Sequence, residues 1–273
     1  MTDSASAFVP GHVTGFFSAH PHEDPAKAGS RGGGLALSDG VTVHVSRGSG
    51  TTLNGETIAV EAVETVLADL GVEARVEAET PLPLGSGFGV SGAMALGTAL
   101  AANAVFDTER SENALVGLAH RAEVEAGTGL GDVVAQARGG VPLRLEPGAP
   151  GVGAMDGVPA RTRVEYLTLG QLSTEDVLSG DTTILSAAGE RALTRVRATP
   201  TLETFMAASV AFAREAGLLT DELRDVLETV EAAGGRASMA MLGETAFALG
   251  TDLSDAGYDP AVCAIHPPGA GLR

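Results

Sequence analysis

Two short stretches of this sequence hold residues whose types and spacing could do chemistry. The first is Pro83-Leu-Gly-Ser-Gly87-Phe-Gly89-Val-Ser91-Gly-Ala93, with glycines at Gly85, Gly87, Gly89 and Gly92. Glycine lets a backbone come close to an anion, its freed N–H groups can point at that anion, and a following helix N-terminus adds a favourable dipole. Ser91 falls in the first turn of the expected helix, where its hydroxyl could meet a phosphate oxygen or a phosphate-bound Mg²⁺. The plainer alternative is a tight turn with Ser91 capping the helix. Four glycines exceed what a turn needs, so phosphate binding is the preferred reading. A Walker A loop is excluded, because it requires Gly-Lys-Ser/Thr and the only lysine is Lys27. Gly87-Phe-Gly89-Val-Ser-Gly92 does match a dinucleotide fingerprint, with Glu112 where a ribose-binding acid belongs. That fold needs a strand after the helix, and the pattern here predicts a second helix instead.

The second stretch runs from His120 to Asp132, His-Arg-Ala-Glu-Val-Glu-Ala-Gly-Thr-Gly-Leu-Gly-Asp. His120 and Glu123 share a helical face, and a glycine loop returns Asp132 to the start of the next helix. Two carboxylates beside a phosphate loop suit Mg²⁺ binding and positioning of a hydroxyl nucleophile. Taken singly, each is better read plainly, Asp132 as an N-cap, Glu123 as a solvated charge and His120 as a packed histidine. Next to the glycine loop, the chemical reading is favoured for all three.

The elements that must position these residues are legible as two α+β units dividing near residue 155, that is 1–155 and 156–273. In the first, Ala5–Phe17 is an apolar stretch broken at Pro10-Gly11, and Gly34–Leu37 and Val41–Val45 flank Ser38-Asp39-Gly40. That Asp-Gly pair predicts a hairpin. Ile58–Leu70 places its apolar residues on one helical face, and Val72–Glu79 alternates strictly as a half-buried strand. The glycine loop follows, then helices over about Ala93–Val105 and Ser111–Ala126, then a short strand at Val141–Leu145. Gly148–Pro159, rich in glycine and proline, reads as the linker. Beyond it the pattern predicts a strand at Arg163–Leu169 and a short helix at Glu190–Val196. A helix opened by Thr199-Pro200 follows, and another capped by Thr220 ends near Gly234-Gly235. A hairpin of Ser238–Leu242 with Thr245–Leu249 and a last strand at Val262–His266 complete the expectation.

The 273 residues are 44% hydrophobic with a formal net charge of −18, so the chain can bury a core while carrying a strongly acidic surface. Such a surface repels phosphate backbones and anionic lipid, which argues against nucleic-acid and membrane partners. The acidity is uneven: residues 1–50 carry Lys27, Arg31 and Arg47 against Asp3, Glu23, Asp24 and Asp39, together with four of the six histidines. A single cysteine, Cys263, excludes an internal disulfide and a cysteine-based metal cluster. The start lacks a basic flank and an apolar core segment, and no uncharged apolar run reaches spanning length, so the expectation is a cytoplasmic protein. Low lysine and aromatic content with high acidity is what a salty cytoplasm would select.

The glycine loop resembles the second motif of the GHMP small-molecule kinases, with Phe88 in place of the usual leucine and Val90 in place of the first serine. Phe8–Phe17, His22–Gly32, Glu123–Asp132 and Ala237–Gly243 resemble more closely the archaeal pantoate kinases within that family. The resemblance spans both halves of the chain. It implies a two-domain α+β fold, with a ribosomal-protein-S5-domain-2-like N-terminal domain and a ferredoxin-like C-terminal domain that closes the cleft. It also implies ATP with Mg²⁺, and pantoate as the acceptor whose terminal hydroxyl is phosphorylated on the way to coenzyme A. Carried over by position, Pro83, Gly85, Ser86, Gly87, Gly89 and Ser91 would contact ATP, Ser91 and Glu123 would hold Mg²⁺, and Asp132 would orient or deprotonate the hydroxyl. His22, Ser30, His120 and Arg144 would line the acceptor pocket. Pantoate is a carboxylate, and a bidentate arginine is the natural clamp for one. Arg144 also reads as an edge-strand surface charge, His22 as simply exposed, and His12 as either structural or ligand-facing. The alternatives are a kinase of the same fold acting on homoserine or a mevalonate-like acid, a silent GHMP-fold sensor, and, last, a dinucleotide-binding oxidoreductase. The sensor is disfavoured because Ser91, Glu123 and Asp132 are all present. A homodimer is compatible with the sequence.

Overall fold

The computed structural model describes residues 3–170, 182–241 and 243–273. Two long strands, β1 (Ser4–His20) and β2 (Gly29–Arg47), pair antiparallel along nearly their whole length. They anchor an eight-stranded sheet with β3 (Thr51–Leu53), β4 (Glu56–Thr57), β5 (Ala74–Glu79), β6 (Val141–Glu146), β7 (Ala154–Val158) and β12 (Gly271–Leu272). Its main path runs β12-β1-β2-β5-β3-β4, and β6 joins β2 to β7. A second, four-stranded antiparallel sheet runs β11-β8-β10-β9, from β8 (Arg163–Gly170), β9 (Ala237–Ala240), β10 (Glu244–Leu249) and β11 (Ala261–Ala264).

Asp39-Gly40 does not turn a hairpin. Both halves of β2 already have β1 as partner, so the excess residues are absorbed in a bulge: Pro10 faces Gly40 and Gly11 faces Leu37, leaving Ser38 and Asp39 outside the pairing. Pro10-Gly11 marks the other side of that bulge rather than a strand end. The displaced Asp39 reaches the second sheet, where its Oδ2 accepts the Tyr166 hydroxyl at 2.9 Å.

Four helices belong to the loop-bearing half: α1 (Glu61–Leu70), α2 (Val90–Phe106), α3 (Glu112–Glu125) and α4 (Asp132–Arg138). The helix expected from Ile58 begins only after Val60, because Ile58 is tied to Thr51 by a backbone hydrogen bond. Helix α2 starts at Val90, earlier than its small residues suggest, because Gly89 takes a left-handed conformation that launches it. It is apolar all round and lies in the core, where Gly97 lets it approach Val43 and Val9. Ser111, where the helix was expected to begin, is its N-cap and accepts the Ala114 N–H through its hydroxyl.

The glycine- and proline-rich stretch 148–159 is not a bare linker, since β7 forms within it and pairs with β6. Past it lie α5 (Thr183–Ala198), α6 (Leu202–Glu215), α7 (Asp221–Ala232) and α8 (Asp252–Asp255). Helix α5 extends well beyond the short one expected. Helix α6 is capped by Thr201 rather than opened by Thr199-Pro200, because the Thr201 hydroxyl is the one that accepts the Thr204 N–H. Thr220 caps α7 as read. Leu242, in the expected hairpin, lies outside the described residues. One continuous core joins both sheets, and among the described residues no helix is long and apolar enough to cross a membrane.

Candidate active site

The loop between β5 and α2 is clamped from both sheets. The His12 N–H of β1 donates to the Phe88 carbonyl at 3.0 Å, the Gln136 amide of α4 donates to the Gly89 carbonyl at 2.9 Å, and the Thr245 hydroxyl of β10 donates to the Ser86 carbonyl at 2.9 Å. Gly85, Gly87 and Gly89 all have positive φ (76°, 87° and 62°), a region that penalises other residues, so these three glycines are required by the path itself. The Phe88 ring stands edge-on to Tyr166 at 5.0 Å, which is in turn held by Asp39. With the Ser86, Phe88 and Gly89 carbonyls so occupied, the loop and the first turn of α2 border a small cavity lined by Thr14, Gly85, Ser91, Thr128, Asp132 and Met241. No acidic residue occupies that first turn, which leaves the helix dipole free to attract an anion, while Asp132 supplies the negative charge on the opposite wall of the cavity. Ser91 stands two residues inside α2 and makes no cap bond, which removes the plain capping alternative.

Glu123 and Asp132 open on the same space. A Cβ on Gly129 would lie 2.7 Å from Glu123 Oε2 and 3.5 Å from Asp132 Oδ2, so this glycine keeps the gap between them clear. Glu123 is buried, and not the solvated charge it could have been. Burial pushes its carboxyl up to about 7, the nearby Asp132 charge adds to the rise, and hydrogen bonds from the Thr128 and Ser91 hydroxyls oppose it. Thr128 Oγ1 donates to Glu123 Oε1 at 2.9 Å. Asp132 is 20% exposed, enough to be reached from the cleft. Burial works against its ionised form, but the His12 hydrogen bond at 2.7 Å and the charge of Arg144 hold its carboxyl below the usual carboxylate range. It opens α4 as the first helical residue, and Gly131 is the N-cap. Asp132 is therefore an ionised base candidate and Glu123 a proton-sharing one, a separation set by environment alone.

Behind Asp132 lies Arg144 of β6, a buried guanidinium and no edge-strand surface charge. Its Nε donates to Ser30 Oγ at 3.0 Å, its NH1 has no partner, and among the described residues no carboxylate forms an ion pair with it. Gly131 makes room, since a Cβ there would sit 2.7 Å from Arg144 Nε and 2.5 Å from Ser30 Oγ. Ser30 Oγ in turn donates to the Leu130 carbonyl. His120 is buried on α3 with Nε2 2.9 Å from the Ala28 carbonyl, and burial holds its ring below the ordinary histidine value. His22 stands apart: it is exposed in the turn joining β1 to β2, where Nδ1 accepts the Asp24 N–H at 2.9 Å.

The structure thus gathers Ser91, Glu123, Asp132, Arg144 and Ser30 into one neighbourhood: Ser91 and Asp132 line the cavity, Glu123, Arg144 and Ser30 are buried behind it, and His120 is buried against the Ala28 carbonyl. Sequence reasoning did not find His12 as the partner of Asp132, nor Gln136 and Thr245 as clamps of the loop. Those contacts join residues 47 to 159 positions apart, and no spacing rule reaches that far.

Comparison with known proteins identifies the family of the chain. Residues 57–140 match the family model for the GHMP kinases N terminal domain. The chain is 38% identical over 264 residues to a pantoate kinase of Thermococcus kodakarensis, covering 90% of this chain and 87% of the relative. It is 35% identical over 256 residues to a pantoate kinase of Methanospirillum hungatei, with the same coverage of 90% and 87%. A solved structure described as a phosphotransferase related to the CoA biosynthesis pathway superposes with a TM-score of 0.88 at 32% identity, covering 99% of this chain and 98% of that one.

Proposed function

Because the chain belongs to the pantoate kinase family within the GHMP kinases, we propose that it transfers the γ-phosphoryl group of ATP to the primary hydroxyl of pantoate. The observation that carries this reading is Arg144. Among the described residues no carboxylate pairs directly with this buried guanidinium and its NH1 is orphaned, so the more distant charge of Asp132 offsets its burial only in part. A substrate carboxylate seated against it, with Ser30 and His120 alongside, supplies the rest. Galactose, which has no carboxylate, would leave Arg144 unpaired.

Phosphoryl transfer needs positioning and charge neutralisation rather than a covalent enzyme intermediate. The N–H groups of the Gly85–Ser91 loop and of the first turn of α2 receive the triphosphate. Pantoate is held by its carboxylate at Arg144, which brings its hydroxyl to Asp132. The hydroxyl proton passes to Asp132 as the new O–P bond forms, and the bond from the γ-phosphorus to the bridging oxygen breaks, leaving ADP with the electron pair. The Glu123 carboxylate and the Ser91 hydroxyl are hard oxygen donors on one side of the gap, a set that suits Mg²⁺ when phosphate oxygens and water complete its shell. When bound there, Mg²⁺ supplies positive charge to the phosphate oxygens. In this reading residues 1–155 carry the loop and residues 156–273 close the cleft.

The test is Arg144→Ala. Losing one partner of a buried charge pair should raise the KM for pantoate about 30-fold or more while the KM for ATP stays within about two-fold. An unchanged pantoate KM in the folded variant sinks the carboxylate clamp.

A further inference from the structure

His12 is wholly buried on β1, and the chemistry above makes no use of it. Its backbone N–H holds the phosphate loop at Phe88, while its ring Nδ1 lies 2.7 Å from Asp132 Oδ1. One residue therefore fixes both halves of the reaction centre. The ring's place is made by Gly34 on the facing strand, where a Cβ would sit 2.2 Å from Nε2. Nε2 itself is buried with no hydrogen-bond partner. The charged groups facing the ring are Asp132 from the start of α4 and Arg144 from β6. An imidazolium here would bury an unpaired Nε2–H donor and place a second positive charge near Arg144, and each of these is costly. A neutral ring protonated at Nδ1 leaves only a bare lone pair facing Gly34.

We propose that His12 is a positioning residue whose neutral imidazole donates Nδ1–H to Asp132 Oδ1 and so presents Oδ2 to the acceptor hydroxyl. The arrangement explains why Asp132 can be ionised in a buried place and still point one oxygen at the gap under Gly129. It rests on the kinase reading given above.

The experiment compares His12→Ala and His12→Asn with the wild type, using ATP and pantoate, across pH. A lost hydrogen bond to a charged group should lower kcat about 10- to 100-fold in His12→Ala, with both KM values within about two-fold. The acidic limb of its kcat profile should move to higher pH, because Asp132 loses a donor that favours its ionised form. His12→Asn keeps an N–H donor and should recover most of kcat. Long-range ¹H–¹⁵N NMR of the wild type, assigned by the signal missing in His12→Asn, should show one ring with a protonated Nδ1 and a bare Nε2. A folded His12→Ala with wild-type kcat and an unmoved profile overturns the proposal. So does a His12→Asn as slow as His12→Ala, or a His12 ring protonated at Nε2. If His12→Ala does not fold, His12→Asn and the NMR spectrum decide. Failure of the wild type to turn over pantoate would instead strike the substrate reading, while the NMR result still tests His12 by itself.

Discussion

Glu123 is where the site works against the fold. Its carboxyl, ordinarily near 4.5, is pushed up to about 7 by burial, so ionising it in the folded chain costs free energy that the unfolded chain does not pay. The sign follows from proton binding: between these two values the native state holds more protons than the unfolded one, so metal-free stability is full below about pH 4.5 and falls as pH rises through about 7. Glu123→Gln removes that dependence. In metal-free protein at pH 8 it should be more stable than the wild type, by up to about 3 kcal/mol, and thermal melts from pH 5 to 8 should show a flatter slope. An identical slope in both proteins would mean that Glu123 is already ionised at little cost. Such a gain would be an ordinary trade of activity against stability. Much of this residue-level picture was readable in advance. Glu123 and Asp132 stand out beside the glycine loop by helical spacing and by the glycines between them, whereas the pocket roles of His120 and Arg144 came from the family resemblance. What could not be read was burial and long-range pairing. Glu123 becomes a perturbed acid only because α2 covers it, and His12 meets Asp132 only through the fold.

At the scale of elements, the glycine loop is a product of three segments that close on it from different parts of the chain. The turn before β10 is the least obvious of them. A Cβ on Gly243 would lie 2.1 Å from the Ser86 carbonyl oxygen and 2.5 Å from the Gly87 nitrogen, both backbone atoms that cannot yield without moving the loop. The Ala237–Gly243 block thus acts on the loop by packing beneath it, which its sequence alone did not disclose. Gly243→Ala should cost about 1–3 kcal/mol of ATP affinity in calorimetric titration, with pantoate affinity unchanged. Unaltered ATP binding would show that the loop tolerates displacement from that side. The elements themselves were legible where periodicity is strong. The alternation of β5, the amphipathic face of α1, the start of α3 and the Thr220 cap of α7 all appear where the pattern put them, within a few residues. They were illegible where one local signal serves two structures. Asp39-Gly40 has the composition of a hairpin turn but sits opposite Pro10, and with β1 already paired to both flanks its extra length becomes a bulge. The same bulge sends Asp39 to Tyr166 and, through Phe88, links the second sheet to the loop. Likewise the glycines and prolines of 148–159 read as a linker, yet they flank a strand that β6 recruits.

For the whole molecule, a net charge of −18 and substrates that are themselves anions must coexist. The structure reconciles them by separation. Acidic side chains such as Asp221, Glu222, Asp225, Glu228 and Glu231 lie on α7, whereas the site sets two carboxylates, Glu123 and Asp132, against a glycine loop, a helix N-terminus without acids and the buried Arg144. At physiological ionic strength charges beyond about 8 Å are largely screened, so small anions can reach such a site past an acidic exterior. The two sheets and their common core hold that cleft between segments distant in sequence, and relatives aligned over most of the chain share the whole frame. The central claim is best tested by ADP release, coupled to a spectrophotometric readout, across pantoate, mevalonate, homoserine and galactose at equal concentration. The account predicts saturable, ATP-dependent release with pantoate and little with the other three. Release with homoserine or mevalonate but not with pantoate would contradict it.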